Sequence, residues 1–92
     1  MKTVLIIEDD PEIVHLLEIH LKDLQCQVHT SLRGDDGLTK AVQLVPDLII
    51  LDIMLPGMDG IAVCQKIRAN NIKSPIIMLT AKAEEIDKVL GL

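Results

Sequence analysis

The sequence contains no phenylalanine, tyrosine or tryptophan, although 49% of its 92 residues are hydrophobic. A core must therefore be assembled from aliphatic side chains alone. Sheets that are buried on both faces are rich in such residues, the β-branched ones above all. A chain of this length forms at most one small domain.

Cysteine and histidine are scarce. Cys26 and Cys64 lie far apart without the spacing of a metal site, and we interpret them as reduced, partly buried thiols of a cytosolic protein. His15, His20 and His29 have no matching cysteine or acidic pattern, so we interpret them as ordinary helix-surface and strand residues.

Positive charge and long hydrophobic runs are also lacking. Nine basic residues face fourteen acidic ones, which gives a net charge of −5. This balance predicts that the segment binds no nucleic acid, and it is compatible with a metal or another cationic partner. The first apolar run, residues 4–7, is far too short for a signal peptide or a membrane span. We therefore expect a cytoplasmic protein that does not associate with membranes.

What the sequence does contain is a regular alternation of short apolar runs with segments of helical periodicity. Strands are predicted at residues 4–7, 27–31, 48–51 and 75–79, and helices at 11–24, at 34–44, from 60 to Asn70 and from Glu84. Asp10 and Asp59 are the predicted caps of the first and third helices. The residues predicted to face inward are Ile13, Leu17, Leu21 and Leu24, then Leu38, Ala41 and Val42, then Ile61, Cys64 and Ile67. This order predicts an α/β fold with a parallel sheet, helices on both faces and right-handed crossovers.

Polar residues stand where three of these strands end. Glu8 and Asp9 follow the first strand, Asp52 follows the third and Thr80 follows the fourth. Ligands of open α/β sheets bind beyond the carboxyl ends of the strands, so the three acids converge if the first and third strands are neighbours. Carboxylates this close repel one another, and Mg²⁺, which prefers hard oxygen ligands, relieves the repulsion.

A carboxylate in such a site is also a nucleophile toward phosphorus and forms an aspartyl phosphate. Thr80 would then offer its hydroxyl to a phosphoryl oxygen. Each residue has a simpler interpretation: Asp9 and Thr80 as helix caps, and Asp52 as a turn former at the end of a strand. A single residue of this kind is weak evidence, whereas all of them at matching strand ends favour a site.

Three segments, residues 5–11, 46–60 and 75–81, resemble the hallmark segments of bacterial response-regulator receiver domains. They are most similar to receivers that precede a winged-helix DNA-binding domain in transcriptional regulators. The resemblance implies a flavodoxin-like, doubly wound parallel sheet, which in the family has strand order 2-1-3-4-5. It also implies a signalling domain that is not an enzyme, whose partner in a two-component system is a histidine kinase.

The resemblance further assigns roles to individual residues. It implies that Asp52 is phosphorylated. It implies that Mg²⁺ is held by the side chains of Glu8, Asp9 and Asp52 and by the backbone carbonyl of Met54. Thr80 would be the switch hydroxyl that responds to the phosphoryl group.

The sequence departs from the family after the fourth helix. The family continues with a fifth strand, which carries an aromatic residue and a phosphate-binding lysine, and with a fifth helix. None of these is present in the 92 residues. We therefore expect strand order 2-1-3-4 and a receiver domain over residues 1–92 that is incomplete at its C-terminus.

Two other functions stay open at this point. The first is a truncated or engineered fragment with little or no phosphotransfer activity. It would form a homo-oligomer, most simply a twofold dimer, through its exposed fourth strand and its helices. The second is a hydrolase that uses an aspartyl phosphate, although Met54 rather than an acid stands two residues after Asp52.

Overall fold

A computed structural model of the chain describes residues 1–79. Its elements, in chain order, are β1 (Thr3–Ile7), α1 (Pro11–Asp23), β2 (Gln27–Ser31), α2 (Gly34–Leu44), β3 (Leu48–Asp52), α3 (Gly60–Ala69) and β4 (Ile76–Leu79). Thr80 and the helix predicted from Glu84 lie outside the described residues. No helix within residues 1–79 is long and apolar enough to cross a bilayer.

The four strands form one parallel sheet in the order β2-β1-β3-β4, which confirms the predicted topology. In its register, Ile7 at the end of β1 lies beside Ser31 of β2 and Leu51 of β3. The residue that follows Ile7 is therefore level with Asp52, so the chain leaves β1 and β3 at the same edge of the sheet.

The core lies on both faces of the sheet because neighbouring strand residues point to opposite sides. One buried cluster joins alternate residues of β1 and β3 to α2 and α3; its members are Leu5, Ile7, Ala41, Ile49, Leu51, Val63, Ile67 and Ile72. The other cluster packs against α1; its members are Val4, Ile6, Val14, Ile50 and Leu79. Two faces covered by helices explain why β1 and β3 are apolar throughout rather than alternating.

Three residues predicted to face inward are exposed, and these predictions were wrong. Leu24 is 73% exposed because it is the C-cap of α1, where the backbone has already left the helix. Val42 is 40% exposed because the adjacent Ala41 takes the inward position, and successive helical residues point about 100° apart. Ile61 is 54% exposed, since the inner face of α3 is formed by residues 63 and 67, one turn apart.

Both predicted acidic caps are confirmed. Asp10 accepts a hydrogen bond from the backbone N–H of Glu12 at 2.9 Å, and Asp59 accepts one from that of Ala62 at 2.9 Å. Each satisfies a backbone donor that the first turn of a helix leaves without an internal partner. Asp10 therefore caps the helix that begins just after β1, and Asp59 caps the helix that begins after the loop following β3.

Side-chain hydrogen bonds close the opposite end of the sheet, where the strands begin. The buried hydroxyl of Ser74 donates to the carbonyl of Pro46 at 2.5 Å. Arg68 donates to the carbonyls of Ile72 and Ser74, both at 2.8 Å. These contacts fix the segment that leads into β4. They lie at the end of the sheet opposite to the acids that follow β1 and β3.

Candidate metal centre

The structure brings together the three acids that follow β1 and end β3. Glu8, Asp9 and Asp52 each offer a carboxylate oxygen, and these oxygens all lie within 4.8 Å of one another. Glu8 and Asp52 are each only 2% exposed, whereas Asp9 is open to solvent. The site therefore has a buried floor and one exposed side.

Backbone hydrogen bonds fix the position of the two buried acids. The N–H of Glu8 donates to the carbonyl of Ser31 at 3.0 Å, which continues the pairing of β1 with β2. The N–H of Asp10 donates to Oε1 of Glu8 at 3.0 Å and orients its side chain. On β3, the N–H of Ile53 donates to the carbonyl of Leu79 at 3.1 Å, which holds the end of that strand against β4.

Burial makes the negative charge of these carboxylates costly. It raises the pKa of Glu8 to about 7; the Asp10 amide offsets part of that rise, and the nearby charge of Asp52 adds to it. Burial also raises the pKa of Asp52, and the backbone amide of Met54 partly offsets this. The backbone amides of the described residues therefore offset only part of the cost of charging these two carboxylates.

One buried atom shows that a cation suits this site. Oδ1 of Asp52 is buried and accepts no hydrogen bond from the described residues. Buried polar atoms in native proteins are nearly always paired, so an unpaired one has room for a partner such as an ion or a water molecule. The donor set consists of carboxylate oxygens with one side open to water, which matches the preference of Mg²⁺ for hard oxygen ligands and retained waters. The residues therefore fit a magnesium ion.

Met54, the fourth predicted ligand, lies in the loop of residues 53–59 between β3 and α3. Its side chain is 67% exposed and, with Ile53 and Leu55, lines an open groove that Asp59 and Ile61 complete. The loop is closed at its base by a hydrogen bond of 2.7 Å from the N–H of residue 60 to the carbonyl of Ile53. Metal binding by the Met54 carbonyl stays a prediction, as does the switch role of Thr80.

Sequence reasoning overlooked Ser31, which is 3% exposed at the end of β2. Its carbonyl accepts the hydrogen bond from Glu8, and its hydroxyl lies 2.6 Å from Oδ2 of Asp36 on α2. A serine at the end of a strand is an ordinary turn residue, so nothing in its local sequence signals this role.

Comparison with known proteins gives a consistent result. Residues 4–92 match the response regulator receiver domain family. The chain is 48% identical over 91 residues to the alkaline phosphatase synthesis transcriptional regulatory protein PhoP of Bacillus subtilis; the match covers 99% of the chain and 38% of that relative. It thus spans well under half the length of this relative.

Two solved structures show the same fold. The response regulator TrrA of Thermotoga maritima, in complex with Mg²⁺ and a beryllium fluoride, is 36% identical with a TM-score of 0.82, over 91% of this chain and 73% of that one. The receiver domain of a sensor histidine kinase of Pseudomonas aeruginosa, with magnesium coordinated in its active-site cleft, is 32% identical with a TM-score of 0.82, over 95% and 73% of the two chains.

Proposed function

The chain belongs to the response regulator receiver domain family, and from this premise we propose that Asp52 is a phosphoryl acceptor beside a bound Mg²⁺. Two observations on Asp52 carry the proposal: its buried Oδ1 has no hydrogen-bond partner among the described residues, and one of its carboxylate oxygens lies within 4.8 Å of oxygens from Glu8 and Asp9. The phosphoryl donor is a histidine kinase of a two-component system.

Each acid has a distinct part in this proposal. Glu8 and Asp9 hold the cation together with Asp52, and the backbone carbonyl of Met54 completes the protein ligands. The bound ion would neutralise the charge on the transferring phosphoryl oxygens. Asp52 supplies the nucleophile: one of its oxygens forms a bond to phosphorus while the bond from phosphorus to the donor's nitrogen breaks, which leaves an aspartyl phosphate. Thr80 is the proposed hydroxyl partner of that group.

The two magnesium-containing neighbours support the metal assignment, since both share the fold of this chain. The transcriptional relative supports a further proposal, that this receiver controls a DNA-binding effector in a cytoplasmic regulator. In that setting the domain acts as the substrate of a kinase and as a signalling element rather than as an enzyme.

Phosphorylation from a small donor tests the assignment of Asp52. With acetyl phosphate and Mg²⁺, we expect slow or undetectable labelling, because the family's phosphate-binding lysine is not among the 92 residues. Peptide mapping should place any phosphoryl group that intact-mass measurement detects on Asp52. Asp52→Asn should abolish the label. Asp47→Asn is the matched control, because Asp47 precedes β3 at the opposite end of the sheet and its acceptor for the Thr3 N–H survives in asparagine. Label on a residue other than Asp52 would refute the proposal.

Self-association through β4 is a second proposal. Within residues 1–79, β4 pairs only with β3, and Ile77 of β4 is 38% exposed. An unpaired strand edge offers backbone donors and acceptors to another chain, so we expect a homo-oligomer, most simply a twofold dimer. Analytical ultracentrifugation at several protein concentrations measures the oligomeric state. A folded monomer at every concentration would contradict the proposed self-association.

A further inference from the structure

The loop of residues 53–59, which follows the acceptor Asp52, packs directly against the start of α2. The N–H of Gly34, the first residue of α2, donates to the carbonyl of Pro56 at 3.0 Å. A Cβ atom on Gly34 would overlap the carbonyl oxygen of Met58. Main chain therefore lies against main chain at this point, with no space for a side chain between them.

An ion pair between Arg33 and Asp35 extends the contact between α2 and the loop to Gly57. Nε of Arg33 lies 3.1 Å from Oδ1 of Asp35, and the pair lies across Gly57. A Cβ on Gly57 would be 2.6 Å from Oδ1 of Asp35 and 2.8 Å from Nη2 of Arg33. Three successive loop residues, 56–58, thus contact three successive residues, 33–35.

The same segment also holds the other half of the acidic site. The carbonyl of Ser31 accepts the hydrogen bond from the N–H of Glu8 at 3.0 Å. The Ser31 hydroxyl lies 2.6 Å from Oδ2 of Asp36 and 3.0 Å from the carbonyl of Arg33, so this residue is tied to the first turn of α2. Lys40, one turn further along α2, donates to the carbonyl of Thr30 at 2.6 Å.

We propose that residues 31–36 anchor both parts of the metal site, namely Glu8 at the end of β1 and the 53–59 loop after β3. In this proposal Ser31 positions Glu8, and Gly34 positions the loop. We call residues 31–36 the α2 anchor. The proposal rests on the metal site proposed above and adds that the separation between Glu8 and the 53–59 loop is set by the α2 anchor. The anchor is itself fixed to the core, because Ala41 of α2 is fully buried against the sheet.

A metal site makes this positioning consequential. Ligands must be held to within about 0.5 Å of their productive places, and loss of outer supporting contacts typically weakens metal binding about 10–100-fold. A displaced 53–59 loop moves the backbone beside Asp52 while leaving every carboxylate in the protein. The effect on metal affinity is therefore separable from loss of a ligand.

Gly34→Ala is the direct test. Gly34 is not among the residues with positive φ, so alanine is compatible with the backbone. The added methyl group acts by pushing on the main chain of Met58 and, less closely, on Cγ2 of Val63 at 3.0 Å. We expect Mg²⁺ affinity, measured by calorimetry, to fall about tenfold or more. In ¹³C-methyl spectra of the methionines, Met54 and Met58 of the loop should shift, whereas Met78 of β4 should stay in place.

Two further variants keep the test decisive. Arg33→Gln removes the ion pair across Gly57 without adding bulk, so it should fold and shift the Met58 methyl in the same sense, with a smaller loss of affinity. Ser74→Ala is the control for stability alone: it breaks a buried hydrogen bond at the other end of the sheet and should leave Mg²⁺ affinity and both loop methyl groups unchanged.

The outcomes separate this proposal from the proposed function. Failure of the unaltered protein to bind Mg²⁺ refutes the metal site, and the anchor is then judged by the Met54 and Met58 methyl groups alone. The anchor proposal is overturned if Gly34→Ala, folded, leaves these two methyl groups or a measurable Mg²⁺ affinity unchanged. It is equally overturned if Ser74→Ala weakens Mg²⁺ binding as much as Gly34→Ala does.

Discussion

Asp52→Asn should make the metal-free protein more stable and should also remove most of the stabilisation that Mg²⁺ confers. Without a cation, Asp52 adds a buried negative charge within 4.8 Å of two other carboxylates, and its Oδ1 has no described partner. Asparagine is nearly the same size and uncharged, so the free energy of unfolding should rise by on the order of 1 kcal/mol. With Mg²⁺ present, Asp52→Asn should instead lower the free energy of unfolding, because the charge that repels the other acids is also the charge that binds the ion.

The magnitude of the metal effect follows from mass action. At a Mg²⁺ concentration a hundred times the dissociation constant, the unaltered protein should gain about 2.7 kcal/mol, and Asp52→Asn should lose most of that gain. Urea unfolding followed by far-ultraviolet circular dichroism measures both, since the chain has no aromatic residue for fluorescence.

Asp59→Asn is the matched control for this experiment. It makes the same chemical change at an acid that caps α3, and asparagine is an equally good cap, so stability and the Mg²⁺ response should both stay near those of the unaltered protein. An Asp52→Asn protein that keeps the full Mg²⁺ response would show that the ion binds elsewhere.

The arrangement of the strands was predictable because it depends on local pattern and general chirality. Four apolar runs separated by helical segments leave few topologies, and the apolar run that ends at Asp52 is too uniform for an edge strand. The approach of Glu8 to Asp52 follows from the same reasoning, since parallel neighbours end at one edge. These predictions required no knowledge of which side chains touch.

Features that depend on contacts distant in sequence were not predictable in this way. The burial of Val63 in place of Ile61 depends on how α3 is rotated against the sheet, and both residues fit a helical period. The role of Gly34 depends on the approach of Met58, twenty-four residues later. A glycine at the start of a helix has no local signal that distinguishes a close contact from ordinary flexibility.

The pH dependence of stability should also reveal the buried site. In metal-free buffer, the free energy of unfolding should fall as pH rises from about 4.5 to about 7. The reason is that the pKa of Glu8 is about 7 in the folded chain and 4.5 when the side chain is free in water, as in the unfolded chain. Between these values the folded state binds more protons than the unfolded state, so stability is present below the unfolded pKa and is lost as pH passes the folded one. The raised pKa of Asp52 acts in the same direction. At 1.36 kcal/mol per pKa unit, a rise from 4.5 to about 7 corresponds to roughly 3 kcal/mol of stability lost over this range.

Glu8→Gln isolates this contribution from the general repulsion of an acidic chain. Glutamine keeps an acceptor for the Asp10 N–H but does not titrate, so stability near pH 7 should rise and the fall with pH should become shallower. Glu18→Gln removes the same charge from the surface of α1, where its pairing with Lys22 at 3.4 Å is worth a few tenths of a kcal/mol, and it should leave the slope unchanged. Saturating Mg²⁺ should reverse the slope for the unaltered protein, because binding requires the ionised carboxylates and therefore strengthens as they lose their protons. If the free energy of unfolding fell equally steeply with pH in Glu8→Gln and Glu18→Gln, the fall would reflect net charge alone. The pKa of Glu8 would then not be raised by burial in the folded chain.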